Sequence, residues 1–217
     1  MLAALLNALK VVGKNLKDVK IVLNGAGAAG TAITNHLLDA GAKNIVVCDK
    51  FGILNKNDEN LSKAHKELSK RTNPNGETGE LKDAIKSADV FIGVSAPGIL
   101  KEDMVRSMNK DAIVFAMANP TPEIMPDLAK KAGARILGTG RSDFSNQINN
   151  VLVFPGLFRG ALDSRARNIT KEMKLACSYA IASLIPENEL NEENIISRAL
   201  DKKVSMVVAE AVKKAAK

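Results

Sequence analysis

A glycine pattern, Gly25-Ala26-Gly27-Ala28-Ala29-Gly30, follows the apolar run Val19-Lys20-Ile21-Val22-Leu23-Asn24 and opens a segment with helical spacing. Asp49 closes the next apolar run, Asn44-Ile45-Val46-Val47-Cys48. Those residue types in that order suit a bound dinucleotide. Gly25 permits the tight turn out of a strand, Gly27 lets the backbone approach a pyrophosphate, and Gly30 lets the helix pack on the strand. The amides at the helix N-terminus then face the phosphates. Asp49 is placed to accept both ribose hydroxyls. The competing reading is that small residues merely let a helix lie close to a strand. The complete strand-helix-strand setting favours the dinucleotide.

The elements that must position these residues follow from the apolar periodicity. Ile21-Val22-Leu23 is a short apolar run suited to a strand buried on both faces. A helix over 31–40 ends at Gly41, a C-terminal cap. A polar amphipathic helix ending near Lys70, a turn-rich loop over 71–79 and a short helix over 81–88 lead into a strand over 89–94. Helices over about 101–108 and 126–132 alternate with strands over 111–117 and 135–137. Val151 to Phe154 has strand character, and from Pro155 onward the pattern is mostly helical. One helix runs from Thr170 through Leu184, and another from about Leu200 to Ala216.

The fold expected is α/β: a Rossmann-type, doubly wound, mainly parallel sheet with helices on both faces and a helical C-terminal tail. Residues 1–217 read as a single dinucleotide-binding domain. Its core spans 14–160, and 1–13 and 170–217 supply packing helices. Ligands in such sheets bind beyond the carboxyl ends of the strands. The glycine loop, Ser95 to Gly98, Asn119 to Pro122 and Gly138 to Asn150 all converge there.

Asn119 and Asn150 are the candidates outside the glycine loop. A neutral amide donates to a carboxylate or carboxamide without adding charge, although Asn-Pro and Asn-Asn also occur as ordinary turn sequences. Gly93-Val94-Ser95-Ala96-Pro97 resembles a nucleophile elbow, but Pro97 replaces the second glycine and both histidines precede Ser95. Backbone contact with a nucleotide suits that loop better. No cluster of carboxylates offers a metal site; Asp143 and Asp163 stand alone. His36 and His65 sit on separate helices with no paired ligand, which assigns them surface or packing roles. Tyr179, the only tyrosine, reads as a packed helix residue.

The chain of 217 residues carries 31 Lys and Arg against 24 Asp and Glu, a net charge of +7. The excess raises nucleic acid as a partner. Scattered lysines and 3% aromatic content argue against one, because single-strand binding needs interleaved stacking residues. The apolar N-terminus, Met1 to Gly13, lacks a basic lead and a cleavage site and is too short to span a bilayer. It reads as a buried helix capped by Gly13, and no membrane partner is expected. Cys48 and Cys177 fall in different settings, which fits a reduced, cytoplasmic protein.

Four motifs in order resemble the NAD-binding domain of bacterial malic enzymes. They are Lys20 to Gly30, Val90-Phe-Ile-Gly-Val-Ser-Ala-Pro-Gly98, Phe115-Ala-Met-Ala-Asn-Pro-Thr-Pro-Glu-Ile124, and Gly138-Thr-Gly-Arg-Ser-Asp-Phe-Ser-Asn-Gln-Ile-Asn-Asn-Val-Leu-Val-Phe-Pro-Gly156. The resemblance covers essentially the whole chain. It implies oxidation of malate by a nicotinamide coenzyme and decarboxylation on Mg2+ or Mn2+ to give pyruvate. The glycine loop and Asp49 would hold the adenosine side, while Val94, Ser95 and Ala96 would pass near the nicotinamide ribose. Asn119 would contact coenzyme and substrate, and Asn150 the substrate. Asp49 favours NAD by repelling a 2′-phosphate, whereas the neighbouring Lys50 leaves NADP possible.

The resemblance also implies what the chain does not carry. The catalytic lysine and tyrosine and the metal-binding carboxylates of the family belong to a preceding region, so no catalytic or metal-binding residue is expected here. The chain reads as a truncated piece or one part of a split gene, with a homo-oligomer, a dimer, as the expected assembly. Two other classes compete. One is a non-catalytic nicotinamide-sensing Rossmann module, but neither a DNA-binding helix pair nor an effector linker is present to support it. The other is a structural piece whose terminal helices pair subunits.

Overall fold

Strand residues alternate between two apolar layers, and that alternation organises the molecule. The structure is a computed structural model that describes residues 1–199 and 201–216. In chain order the elements are α1 (Leu2–Val11), β1 (Lys20–Asn24), α2 (Ala28–Asp39), β2 (Asn44–Asp49), β3 (Gly52–Ile53), α3 (Lys63–Ser69) and α4 (Leu81–Ala84). They continue with β4 (Val90–Gly93), α5 (Glu102–Arg106), β5 (Ile113–Ala116), α6 (Pro126–Lys131), β6 (Ile136–Thr139), α7 (Phe154–Asp163), α8 (Lys171–Ala182) and α9 (Lys202–Ala215). The sheet order is β3-β2-β1-β4-β5-β6. All pairs are parallel except β2 with β3. This is the order of the dinucleotide-binding doubly wound sheet, with its reversal between β1 and β4.

Ile21, Leu23, Ile45, Val47, Val90, Ile92, Ile113 and Phe115 point into one layer. There they meet buried residues of α1, α2, α7, α8 and α9. Val22, Val46, Cys48, Phe91, Val114 and Ala116 point into the other, against α4, α5 and α6. Each fully buried Leu or Ile contributes about 2 kcal/mol over exposure, so a one-residue slip of any strand would exchange the layers and is strongly disfavoured. Two buried asparagines fasten the tail to this core. Asn7 donates to the carbonyls of Ala182 and Ile195, each at 3.0 Å. Asn146 donates to Leu137 and Glu192 carbonyls and accepts from the Ile195 amide at 3.0 Å.

The C-terminal helices pack at backbone contact. A Cβ on Gly156 would lie 2.6 Å from the Ser205 carbonyl, and one on Gly160 would lie 2.5 Å from that of Ala209. Val204, Val208 and Val212 of α9 are buried there.

Several local expectations are corrected. Residues 151–154 do not form a strand: a 3-10 turn covers Asn150–Leu152, and α7 starts at Phe154. Asn149 accepts the Val151 amide at 3.0 Å and turns the chain. Pro155 in the first turn of α7 then suits a helix start. Strand β3 was not anticipated, because two residues carry no periodic signal. The polar helix covers Lys63–Ser69, close to the expected bounds, and Ser62 caps it by accepting the His65 amide. Tyr179 is half exposed. Asp143 and Asp163 each pair with an arginine, Arg141 and Arg159, and among the described residues neither joins a carboxylate cluster.

Both cysteines are free and buried. Burial pushes the Cys48 thiol up to about 12 and the Cys177 thiol up to about 11. Thiolate is the reactive form, so neither is expected to react with a thiol-specific disulfide reagent at pH 8 until the chain unfolds. Rapid modification of the native protein would contradict this. Among the described residues, no helix is long and apolar enough to cross a membrane.

Candidate functional site

The chain leaves β1 and β4 side by side, and the crevice between their carboxyl ends holds the glycine loop. Gly25 has φ +115, and a Cβ there would sit 2.5 Å from the Val94 carbonyl oxygen. Glycine therefore lets the loop after β1 lie against the loop after β4. A Cβ on Gly30 would collide with the carbonyl of Gly25, which closes the turn of α2 onto the loop. Gly27 differs: nothing lies within 4 Å of where its Cβ would stand. No side chain caps the N-terminus of α2. The structure thus presents open space beside free helix amides, the geometry that receives an anionic group. The residues fit a pyrophosphate.

Asp49 ends β2, next to β1, and its carboxylate is 14% exposed. One oxygen accepts the Phe51 amide at 2.7 Å, and the other lies 3.5 Å from Nδ1 of His65. His65 Nε2 is 3.2 Å from the Ala26 carbonyl oxygen. His65, assigned a packing role from sequence, therefore stands between the glycine loop and Asp49. Lys50 is exposed, with its ammonium 4.7 Å from the centre of the Phe51 ring.

On the other side, the loops after β4 and β5 are locked by a carboxylate that the sequence did not single out. Glu123 is fully buried. Its Oε1 accepts the Ser95 amide at 2.9 Å and its Oε2 accepts the Ala118 amide at 2.9 Å. Ser95 Oγ accepts from Asn24 Nδ2 at 2.7 Å, extending the chain of hydrogen bonds to the end of β1. A Cβ on Gly93 would collide with the Glu123 side chain. The one available signal was a lone Glu after two prolines. Nothing local marked it as internal.

Val94 is half-buried, and Ser95 and Ala96 are exposed at the tip of this loop. Asn119 is exposed two residues past the Met117 amide that pairs with Gly93. Arg141 joins the neighbouring loops: it pairs with Asp143 through two contacts of 2.8 and 2.7 Å and donates to the Pro120 carbonyl at 3.1 Å. The Arg141 guanidinium holds the Asp143 carboxyl below its ordinary range. The Ile148 amide bonds the Thr139 carbonyl at 2.7 Å, so the segment preceding Asn150 runs along the end of β6. Asn149, not Asn150, caps the turn. Among the described residues, neither Asn119 nor Asn150 has a side-chain hydrogen-bond partner, and both side chains face solvent.

Among the described residues, no three His, Cys, Asp or Glu side chains gather as a metal ion would require. Mg2+ or Mn2+ does not fit the donor set of this chain by itself, and no step is derived through it.

The strand order, the glycine crevice and the acid at the end of β2 define a dinucleotide-binding domain of the Rossmann class. The chain belongs to the malic enzyme family, as its NAD-binding domain: the family model described as "Malic enzyme, NAD binding domain" matches residues 1–217. An NAD-dependent malic enzyme of Geobacillus stearothermophilus is 55% identical over 216 residues, 100% of this chain and 45% of that protein. A bifunctional malic/malolactic enzyme of Bacillus subtilis is 54% identical, over 99% of this chain and 52% of that protein. The crystal structure of a malic enzyme from Pyrococcus horikoshii superposes with a TM-score of 0.94 at 48% identity, covering 99% of this chain and 52% of that one. The chain spans about half the length of the curated relatives it matches.

Proposed function

We propose that this chain supplies the coenzyme-binding part of an enzyme that oxidises and decarboxylates malate, with NAD preferred over NADP. The observation that carries the reading is the uncapped N-terminus of α2 facing open space at Gly27, with Asp49 at the adjacent strand end. Gly25 to Gly30 hold the pyrophosphate, and Asp49 accepts the ribose hydroxyls. Its carboxylate disfavours a 2′-phosphate, while Lys50 lies over Phe51 rather than beside it.

NAD, when bound, supplies the hydride acceptor. Val94, Ser95 and Ala96 border the nicotinamide ribose, and Glu123 keeps their loop in place through the Ser95 amide. Asn119 and Asn150 orient coenzyme and malate through amide groups that the protein itself leaves free. Among the described residues no three His, Cys, Asp or Glu side chains gather as a metal site would require. The lysine, tyrosine and metal-binding carboxylates that the resemblance implies are therefore assigned to a region that corresponds to the remaining length of the relatives.

Calorimetric titration with NAD and NADP, followed by an assay of malate-dependent NADH formation with Mg2+ or Mn2+, tests this. Saturable binding of NAD without turnover by the chain alone is expected. Absence of dinucleotide binding overturns the reading, and turnover overturns the placement of the chemistry. Asp49→Ala is expected to weaken NAD roughly 100-fold, the effect of losing two hydrogen bonds to a charged acceptor at about 1.5 kcal/mol each, and NADP by less. Equal losses would count against a ribose role.

A further inference from the structure

We propose that His65 is a positioning residue for the coenzyme, setting the orientation of the Asp49 carboxylate and thereby the preference for a ribose with a free 2′-hydroxyl. This rests on the coenzyme reading above and deepens it. His65 lies in the first turn of α3, where Ser62 accepts its backbone amide and fixes the start of the helix. The ring reaches both the glycine loop and the end of β2, and its side chain is 26% exposed.

The two ring nitrogens face two oxygens. Nδ1 is 3.5 Å from Asp49 Oδ2, and Nε2 is 3.2 Å from the Ala26 carbonyl. One imidazole thus spans the distance between the pyrophosphate loop and the acid that reads the ribose. Asp49 Oδ1 is already fixed by the Phe51 amide, so a His65 ring that carries its proton on Nδ1 faces the second oxygen at ion-pair distance and favours one orientation of the carboxylate. A carboxylate has about four lone-pair positions, so one contact to each oxygen leaves a position on each for the two ribose hydroxyls. A fixed acceptor pair rewards vicinal hydroxyls and penalises a phosphate in place of one of them, whereas a carboxylate free to rotate discriminates less.

The test compares His65→Leu, which keeps bulk but donates nothing, with His65→Gln, whose amide retains donors. Dissociation constants for NAD and NADP are measured in the wild type, in both variants and in the Asp49→Ala background. His65→Leu is expected to weaken NAD about fivefold and to narrow the NAD over NADP preference, with His65→Gln recovering most of the loss. In Asp49→Ala, the same His65→Leu change should cost little further. A loss that is equal for both coenzymes, or that persists undiminished without Asp49, would show that His65 only supports α3 and would overturn the proposal. Tight binding of NAD by the wild type together with unchanged constants in His65→Leu overturns it while leaving the coenzyme reading intact. Failure of the wild type to bind either dinucleotide overturns both.

Discussion

Replacing Gly27 with valine is expected to weaken NAD binding roughly 100-fold while leaving thermal stability within about 0.5 kcal/mol of the wild type. The size follows from two or so lost hydrogen bonds to a charged phosphate, at about 1.5 kcal/mol each. The stability estimate follows from the site: Gly27 has ordinary extended dihedrals, φ −72 and ψ −166, and a Cβ there would meet nothing within 4 Å. The side chain would instead occupy the space beside the uncapped amides of α2. Gly30→Ala is the contrasting change. Its Cβ would collide with the backbone carbonyl of Gly25, so it is expected to lower the melting temperature as well as binding. Calorimetry and thermal denaturation on the two variants separate these effects. A Gly27→Val protein that binds NAD normally would remove the pyrophosphate from this loop.

Glu123→Ala is expected to cost about 3 kcal/mol of stability, a fall in Tm of roughly 10 °C for a chain of this size. Truncation strands the amides of Ser95 and Ala118, which donate to the carboxylate at 2.9 Å each, and leaves a cavity beside Gly93. The loops after β4 and β5 lose their shared anchor, so binding of the nicotinamide end should weaken too. Glu123→Gln keeps the shape but presents an amide NH2 to one of the two N–H donors. About half the stability loss is expected of it. Thermal denaturation of both variants checks the order. An alanine variant as stable as the wild type would show that water replaces the carboxylate without cost.

Those two residues also mark how far the sequence could be read. The turn at Gly27 is legible because its geometry depends on its immediate neighbours: a strand before it, a helix after it and glycines at fixed offsets. Asp49 was legible for the same reason, as the end of the next strand. Glu123 was not. Its partners are Ser95 and Ala118 on separate loops, and a glutamate in the sequence looks alike whether it faces water or two buried amides. His65 shows the same limit: spacing excluded it as a metal ligand, yet its neighbours Asp49 and Ala26 come from other elements.

The misread segment 151–154 teaches a related point. Val151-Leu152-Val153-Phe154 is apolar enough for a strand, but a strand needs a sheet edge to pair with. Asn149 and Pro155 turn the segment into a helix start, and Val151 and Phe154 end up exposed.

By itself, the sequence determined the alternation of strands and helices, the glycine turn after β1 and the acid at the end of β2, since period, glycine conformation and helix-terminal amides are local properties of the backbone. Only the tertiary structure decided that Glu123 fastens the loops after β4 and β5 to each other, and that His65 bridges the glycine loop and Asp49. Those relations depend on the sheet order, which places β1 beside β4 and β2 and so brings side chains from distant parts of the chain within hydrogen-bonding distance.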